Sequence, residues 1–303
     1  MILSAFTGRK IFGYPVMVSS LVFTGFMAFG LWVHHMFAVG LPEMGQGFFT
    51  AASMMIAIPN GVQIFCWLAT LIRGRLLFRT PLLFVLGFIV IFVAGGLTGV
   101  MLAAVPFDLQ VHDTYFVVAH FHMVMGVSPI LVVFGGLYHW YPKVTGRMLN
   151  DTLGRIHFWI TFVGTYAIFF PMHYLGILGM PRRYYAYENY AFIPESAHVM
   201  NMYISIAAFI VATAQLIFVF NLAWSVRHGR RSGPNPWRAA SLEWQTPDTP
   251  PVHGNWGPHL PVAYRWAYAY SVPGAPEDFI AQNAPPEAGG AEPEPHASRG
   301  AVA

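Results

Sequence analysis

Three groups of histidines stand in or beside strongly apolar stretches, where a polar side chain is costly and usually functional. The first is His34-His35 in GLWVHHMFAVG. Neighbouring positions on an α-helix differ by ~100°, so both rings can reach one metal beside the helix if the helix distorts. Two imidazoles suit copper, zinc or iron, and a third ligand must come from elsewhere. A pair of interfacial histidines near lipid headgroups is the plainer alternative. The second group is His120 and His122 in VVAHFHMVMG. Two positions is ~200° of helix, so these rings leave opposite faces and cannot share an ion. They could ligate two cofactors standing on either side of one helix, since haem iron commonly takes an axial histidine; two histidines bonded to neighbouring helices is the alternative. The third group is His112-Asp113, with Asp108 before it, in VPFDLQVHDTYF. This stretch has no basic neighbour and could hold a hard divalent cation completed by waters. Asp113 or Thr114 could also serve as a helix N-cap, and the two roles are compatible.

The elements that must carry these groups are membrane spans. Of 303 residues, 56% are hydrophobic and only 10% charged, where a soluble domain is about a quarter charged. A spanning helix needs ~20 apolar residues. Six windows meet this: 15–38, 47–72, 81–104, 114–140, 153–177 and 198–225. They are apolar all round, as buried or lipid-facing helices are. Residues 1–7 are apolar but too short to span and read as the tail of a preceding element. The single cysteine, Cys66, rules out a disulfide framework and a cysteine-based zinc site. The net charge of +3 is scattered between spans, which argues against nucleic acid. The positive charges follow the first apolar run, unlike a signal peptide.

Lysines and arginines set the topology. Arg9 and Lys10, then Arg73, Arg75 and Arg79, then Lys143, Arg147 and Arg155, then Arg227, Arg230, Arg231 and Arg238 all fall on one side of a six-span chain. That side should be the cytoplasm, with both termini on it. The opposite loops lack basic residues except for Arg182-Arg183, which calls for a local negative partner. Three regions are expected: a helical half-bundle over 1–231, a cytoplasmic segment packed on it over 232–257, and a Pro-rich, disordered tail over 258–303.

HHMF, AIPNGVQIFCWLATL, GGLTGVMLA, HDTYFVVAHFH, GMPRRY and LEWQTPDTPP occur in this order. Together they resemble subunit I of the aa3-type cytochrome c oxidases, over about residues 1–257. The resemblance implies an all-α membrane fold matching the last six of that family's twelve helices. Carried over by position, His34 and His35 are two of three ligands of the active-site copper (CuB). His120 is the axial ligand of the oxygen-binding haem a3, and His122 an axial ligand of the low-spin haem a. The catalytic set is thus His34, His35 and His120, with Trp32 among the cofactor-binding residues. His112 and Asp113 resemble the magnesium site, and Arg182 and Arg183 the pair that binds haem propionates. The implied reaction is oxidation of cytochrome c and reduction of O2 to water with proton translocation. Implied partners are a subunit II carrying a dicopper centre, a subunit III and cytochrome c, in a bacterial inner membrane or a similar energy-transducing one.

The chain departs from the family in two ways. The third copper ligand, a tyrosine four residues after it, and the second low-spin haem ligand belong to helices ahead of this sequence. An N-terminal half must supply them, and the isolated chain is expected not to reduce oxygen. In span two, Gln63 stands where the family's proton path has a lysine, and Asn60 where it has a threonine. Glutamine bonds a water but cannot carry a proton as ammonium does, so a path through Ser53, Asn60 and Gln63 is doubtful. A non-catalytic membrane fragment remains the rival from another class. A quinol oxidase and a nitric oxide reductase fit HDTY and MPRRY less well.

Overall fold

A computed structural model describes residues 1–187, 190–272, 274 and 277–286. Among the described residues it is helical, with only two isolated bridges and no strand. A short helix α1 (Ile2–Thr7) precedes α2 (Tyr14–Leu31), which tightens into a 3-10 segment over Trp32–Val39. Then come α3 (Glu43–Met55), α4 (Ala57–Ile72), α5 (Thr80–Leu102) and the short α6 (Val105–Val111). Next is α7 (Tyr115–Phe121), joined through a π-helical segment, His122–Val127, to α8 (Ser128–Thr145). Two long helices, α9 (Asp151–Ile177) and α10 (Glu195–His228), complete the bundle.

These make six segments long and apolar enough to span a membrane: Tyr14–Val39, Glu43–Ile72, Thr80–Leu102, Tyr115–Thr145, Asp151–Ile177 and Glu195–His228. They match the six expected windows to within about five residues at each end. Local chemistry sets their limits. Pro15 and Pro81 occupy first-turn positions, where the missing N–H costs nothing. The Thr114 hydroxyl caps α7 by accepting from Phe116 N, and the Asn150 side chain caps α9 by accepting from Leu153 N. The second span breaks at Ile56, three residues before Pro59, whose ring cannot accommodate an unbroken ladder.

The basic segments gather at one end of the bundle. Arg9 Nε donates to Arg73 O at 2.8 Å, Arg75 N donates to Thr7 O, and Met148 N donates to Arg230 O. Arg79 and Arg155 both pair with Asp151. The loops around 112–115 and 178–183 meet at the other end, where Tyr115 N donates to Met180 O and Arg182 N to Asp113 O. Helices α5, α8, α9 and α10 share a core of Phe84, Met123, Leu131, Tyr138, Phe158 and Phe218. By contrast α2 buries only Leu31 against the rest of this chain.

Residues 2–7 are a fully packed element. All six residues of α1 are buried, and Phe6 meets Trp237 and His139. Downstream of 232, Trp237 Nε1 donates to His139 O at 2.8 Å, Lys143 Nζ donates to Thr246 Oγ1 at 2.7 Å, and Trp244 is buried.

Several described residues beyond 258, where a disordered tail was expected, make contacts with the rest of the chain. Gln282 N donates to Ala240 O and Gln282 Oε1 accepts from Leu242 N. Tyr270 is buried with its hydroxyl accepting from Ala240 N at 3.1 Å, and Arg75 pairs with Asp278 at 3.1 Å. Pro-rich composition signalled the lack of periodicity, but aromatic and polar anchors too sparse to form a pattern hold the strand of chain down. The rest of the expected tail, 287–303, lies outside the described residues.

Candidate functional site

The 3-10 segment is where the first histidine pair sits. Tightening of the helix at Trp32 and an off-helix Met36 (φ −119°, ψ 16°) supply the distortion that the pair requires. His34 Nε2 and His35 Nε2 lie 3.0 Å apart. That is also the spacing of two donors bound to one ion: bonds of ~2.0–2.1 Å subtending about 95° would give it. His34 Nδ1 meets Ser53 Oγ of α3 at 3.1 Å, the outer-shell contact that orients a metal-bound imidazole. Trp32 stacks obliquely on His35, with ring centroids 4.9 Å apart.

His120 lies in the last turn of α7. Its Nδ1 faces Gly95 O at 2.9 Å and Thr98 Oγ1 at 3.3 Å, so Nε2 is the nitrogen that could hold a metal. The ring is pressed against α5. A Cβ added at Gly99 would stand 2.6 Å from His120 Cε1, so only glycine leaves the imidazole room. This cradle fits an axial histidine held in one tautomer.

His122 leaves the helix toward α9 rather than α5. It stacks between Phe121 (4.4 Å) and Phe169 (5.0 Å), with Nδ1 held at 2.8 Å by Val118 O, so Nε2 is the nitrogen that could hold a metal. The two rings therefore face different neighbours across one helix, as their spacing requires. From His122 onward the ladder widens to π geometry. Pro129 brings no N–H to the chain, and Ser128 Oγ donates five residues back to Met123 O at 2.6 Å. Such π segments cluster at functional sites. This one was missed in the sequence, although Gly126 and Pro129 in mid-span signal it.

At the loop end, His112 lies between two carboxylates: Nδ1 is 3.6 Å from Asp108 Oδ2, and Nε2 is 3.8 Å from Asp113 Oδ2. Asp113 Oδ1 accepts from Arg182 Nε at 2.8 Å and from Nη2 of the same guanidinium. Asp113 (φ 54°) and Arg183 (φ 70°) both adopt left-handed backbone, which for a residue like arginine costs energy and concentrates at functional sites. Burial pushes the Asp108 carboxyl up, against the pull of His112. Burial acts the same way on Asp113, but there the Arg182 hydrogen bond and charge win and hold it below the usual carboxylate range. The negative partner required by the double arginine is thus Asp113, at least for Arg182. Among the described residues Arg183 has no carboxylate within ion-pair range, and no three His, Cys, Asp or Glu side chains converge as a metal cluster.

The expected proton-path residues are spread along the second span. Ser53 is at the histidine pair. Gln63 lies ten residues toward the basic end, ~15 Å along a helix, buried, with Nε2 donating to Thr24 Oγ1 at 3.4 Å. Asn60 lies between them and is half-buried. His173 was also missed in the sequence. It lies on α9 with Nε2 buried and without a hydrogen-bond partner among the described residues, its ring edge-on to Phe116. Its only sequence signal is a histidine four residues before the loop end of an apolar span.

The family model for cytochrome c and quinol oxidase polypeptide I matches residues 1–210. The alternative cytochrome c oxidase subunit 1 of Bradyrhizobium diazoefficiens is 56% identical over 288 residues, which is 95% of this chain and 49% of that protein. The cytochrome c oxidase subunit 1 of Synechocystis is 44% identical over 264 residues, covering 87% of this chain and 46% of that protein. The chain thus spans about half the length of the curated relatives it matches. A cryo-EM structure of a haem-copper terminal oxidase dimer shares the fold, with a TM-score of 0.64 at 18% identity over 73% of this chain and 43% of that one.

Proposed function

The chain belongs to the cytochrome c and quinol oxidase polypeptide I family, and on that premise we propose that it supplies part of the catalytic subunit of a terminal respiratory oxidase. The reaction is oxidation of cytochrome c and reduction of O2 to water, coupled to proton translocation across an energy-transducing membrane. The carrying observation is the convergence of His34 Nε2 and His35 Nε2 at 3.0 Å, together with a separate imidazole, His120, whose Nδ1 is already committed to Gly95 O.

His34 and His35 would hold copper, with Ser53 orienting His34 and Trp32 walling His35. His120 would hold the haem a3 iron through Nε2, and His122 the haem a iron on the opposite side of the same helix. Haem and copper supply the electron storage and the oxygen chemistry when bound. The protein fixes tautomers, ring planes and the separation of the two ligand faces. Arg183, which has no carboxylate within ion-pair range among the described residues, is the better placed of the two arginines for a haem propionate. Arg182 can join it only by sharing its charge with Asp113. A magnesium ion at His112 and Asp113 likewise requires Asp113 to release Arg182.

The remaining copper and haem ligands would come from polypeptide outside residues 1–303, in a complex with subunit II, its dicopper centre, and subunit III. The basic end of the bundle would face the cytoplasm. Proton delivery through the second span would depend on water held by Ser53, Asn60 and Gln63, since Gln63 cannot itself carry the charge.

Co-expression with the first six spans of a cytochrome c oxidase subunit 1 tests this reading. The membranes should show a-type haem absorbance and oxygen uptake driven by reduced cytochrome c. His120→Ala should abolish the oxygen-binding haem, and His122→Ala the low-spin one. Absence of any a-type band in correctly inserted, co-expressed protein would refute it.

A further inference from the structure

At the basic end, a cavity opens between the start of the first span and the end of the second. It is lined by Arg9, Lys10, Phe12, Thr70, Arg73 and Tyr270, among others. Its cations are organised. Arg9 Nε is tied to Arg73 O at 2.8 Å, and the Arg73 guanidinium lies over the Phe12 ring, 5.1 Å from its centroid. Their neighbours have carboxylate partners: Arg75 pairs with Asp278, Arg79 and Arg155 share Asp151, and Arg238 pairs with Glu277. Arg9, Lys10 and Arg73 have no carboxylate within 4.0 Å among the described residues. Three like charges around one cavity repel unless an anion joins them.

We propose that this cavity binds the phosphate of an anionic phospholipid headgroup. Guanidinium forks suit phosphate oxygens, and lysine adds a point charge. Basic pockets between spans on this side of a membrane protein bind such headgroups. The depth is right as well. Tyr14, Trp266 and Tyr268 cluster beside the mouth, with centroids 4.8–6.1 Å apart, as aromatic side chains do at the bilayer interface. Phe12, Val16 and Ile72 stand exposed around it, 84% in the case of Ile72, and give acyl chains an apolar surface that a soluble anion could not use. The segment around Tyr270 and Ser271 forms the far wall, so lipid and tail would stabilise each other.

The test is native mass spectrometry of the full chain released from nanodiscs of phosphatidylglycerol and phosphatidylcholine in equal amounts. The wild type should retain phosphatidylglycerol at least fivefold over phosphatidylcholine, with retention weakening as salt rises. Arg9→Gln/Lys10→Gln/Arg73→Gln should lose the preference. Lys10→Gln/Arg73→Gln, which keeps the Arg9 hydrogen bond, should lose most of it while its circular dichroism stays native. Arg230→Gln/Arg231→Gln, at the same end but away from the cavity, should retain it. Equal retention in the wild type and the cavity variants would overturn the proposal. So would displacement of the lipid by millimolar inorganic phosphate, which would assign the cavity to a soluble anion.

Discussion

The tightest contact in the proposed haem environment is between α5 and His120, and Gly99→Ala should expose it. The new methyl would lie 2.6 Å from His120 Cε1 and 3.3 Å from Nδ1. To reach ordinary contact the ring must retreat by about 0.8 Å. That movement stretches the 2.9 Å contact between Nδ1 and Gly95 O past hydrogen-bond range. Overpacking costs ~1–3 kcal/mol and the lost hydrogen bond ~0.5–1.5, together about 2–4 kcal/mol. Loss of the outer-shell partner also weakens cofactor binding by roughly 10–100-fold. The control is Gly96→Ala, three residues away on the same helix, whose added methyl meets nothing within 4 Å. Thermal unfolding in detergent and haem content of the co-expressed protein should separate the two variants, with Gly96→Ala within ~1 kcal/mol of wild type. Equal behaviour of the two would refute the idea that Gly99 positions His120.

Ser53→Ala should leave the helices intact but lower copper affinity roughly 10–100-fold in a metal titration, because His34 Nδ1 loses its partner. Ser53→Thr should restore most of it. His157 is wholly buried, with Nε2 2.9 Å from Gln215 Oε1 and Nδ1 facing Tyr138 OH at 3.4 Å. His157→Leu should destabilise the bundle by ~1–3 kcal/mol in thermal unfolding by stranding both partners, without altering the haem spectrum of the co-expressed protein. Burial pushes the Tyr270 hydroxyl up to about 12, against the bond from Ala240 N. A raised folded value makes its stabilisation complete below the ordinary tyrosine value, ~10, and lost as pH climbs toward 12. Proteolysis of 258–286 should therefore accelerate across that window, and Tyr270→Phe should flatten the response.

The spans were legible because hydropathy over ~20 residues is a strong signal and basic residues mark one end. The opposed faces of His120 and His122 followed from helical spacing alone. The joint reach of His34 and His35 required a distortion that spacing could suggest but not locate. It lies in the 3-10 turn at Trp32 and the off-helix Met36. Less was legible where contacts link positions far apart in sequence. Nothing local tells that Asp113 pairs with Arg182 or that Tyr270 folds back onto Ala240. The contacts of the tail were not legible because three or four anchors in thirty residues make no period.

The π segment at His122–Val127 has a consequence for how this span tolerates change. A widened turn inserts about one residue relative to an α-helix, a phase step of ~100°. The stretch that carries His120 and His122 and the stretch that buries Leu131, Tyr138 and His139 are thus clocked independently. Deleting a single residue within 123–127 would restore regular winding and rotate one half against the other, so one set must point the wrong way. Substitutions on either side can accumulate separately, while the length of the joint between them cannot vary.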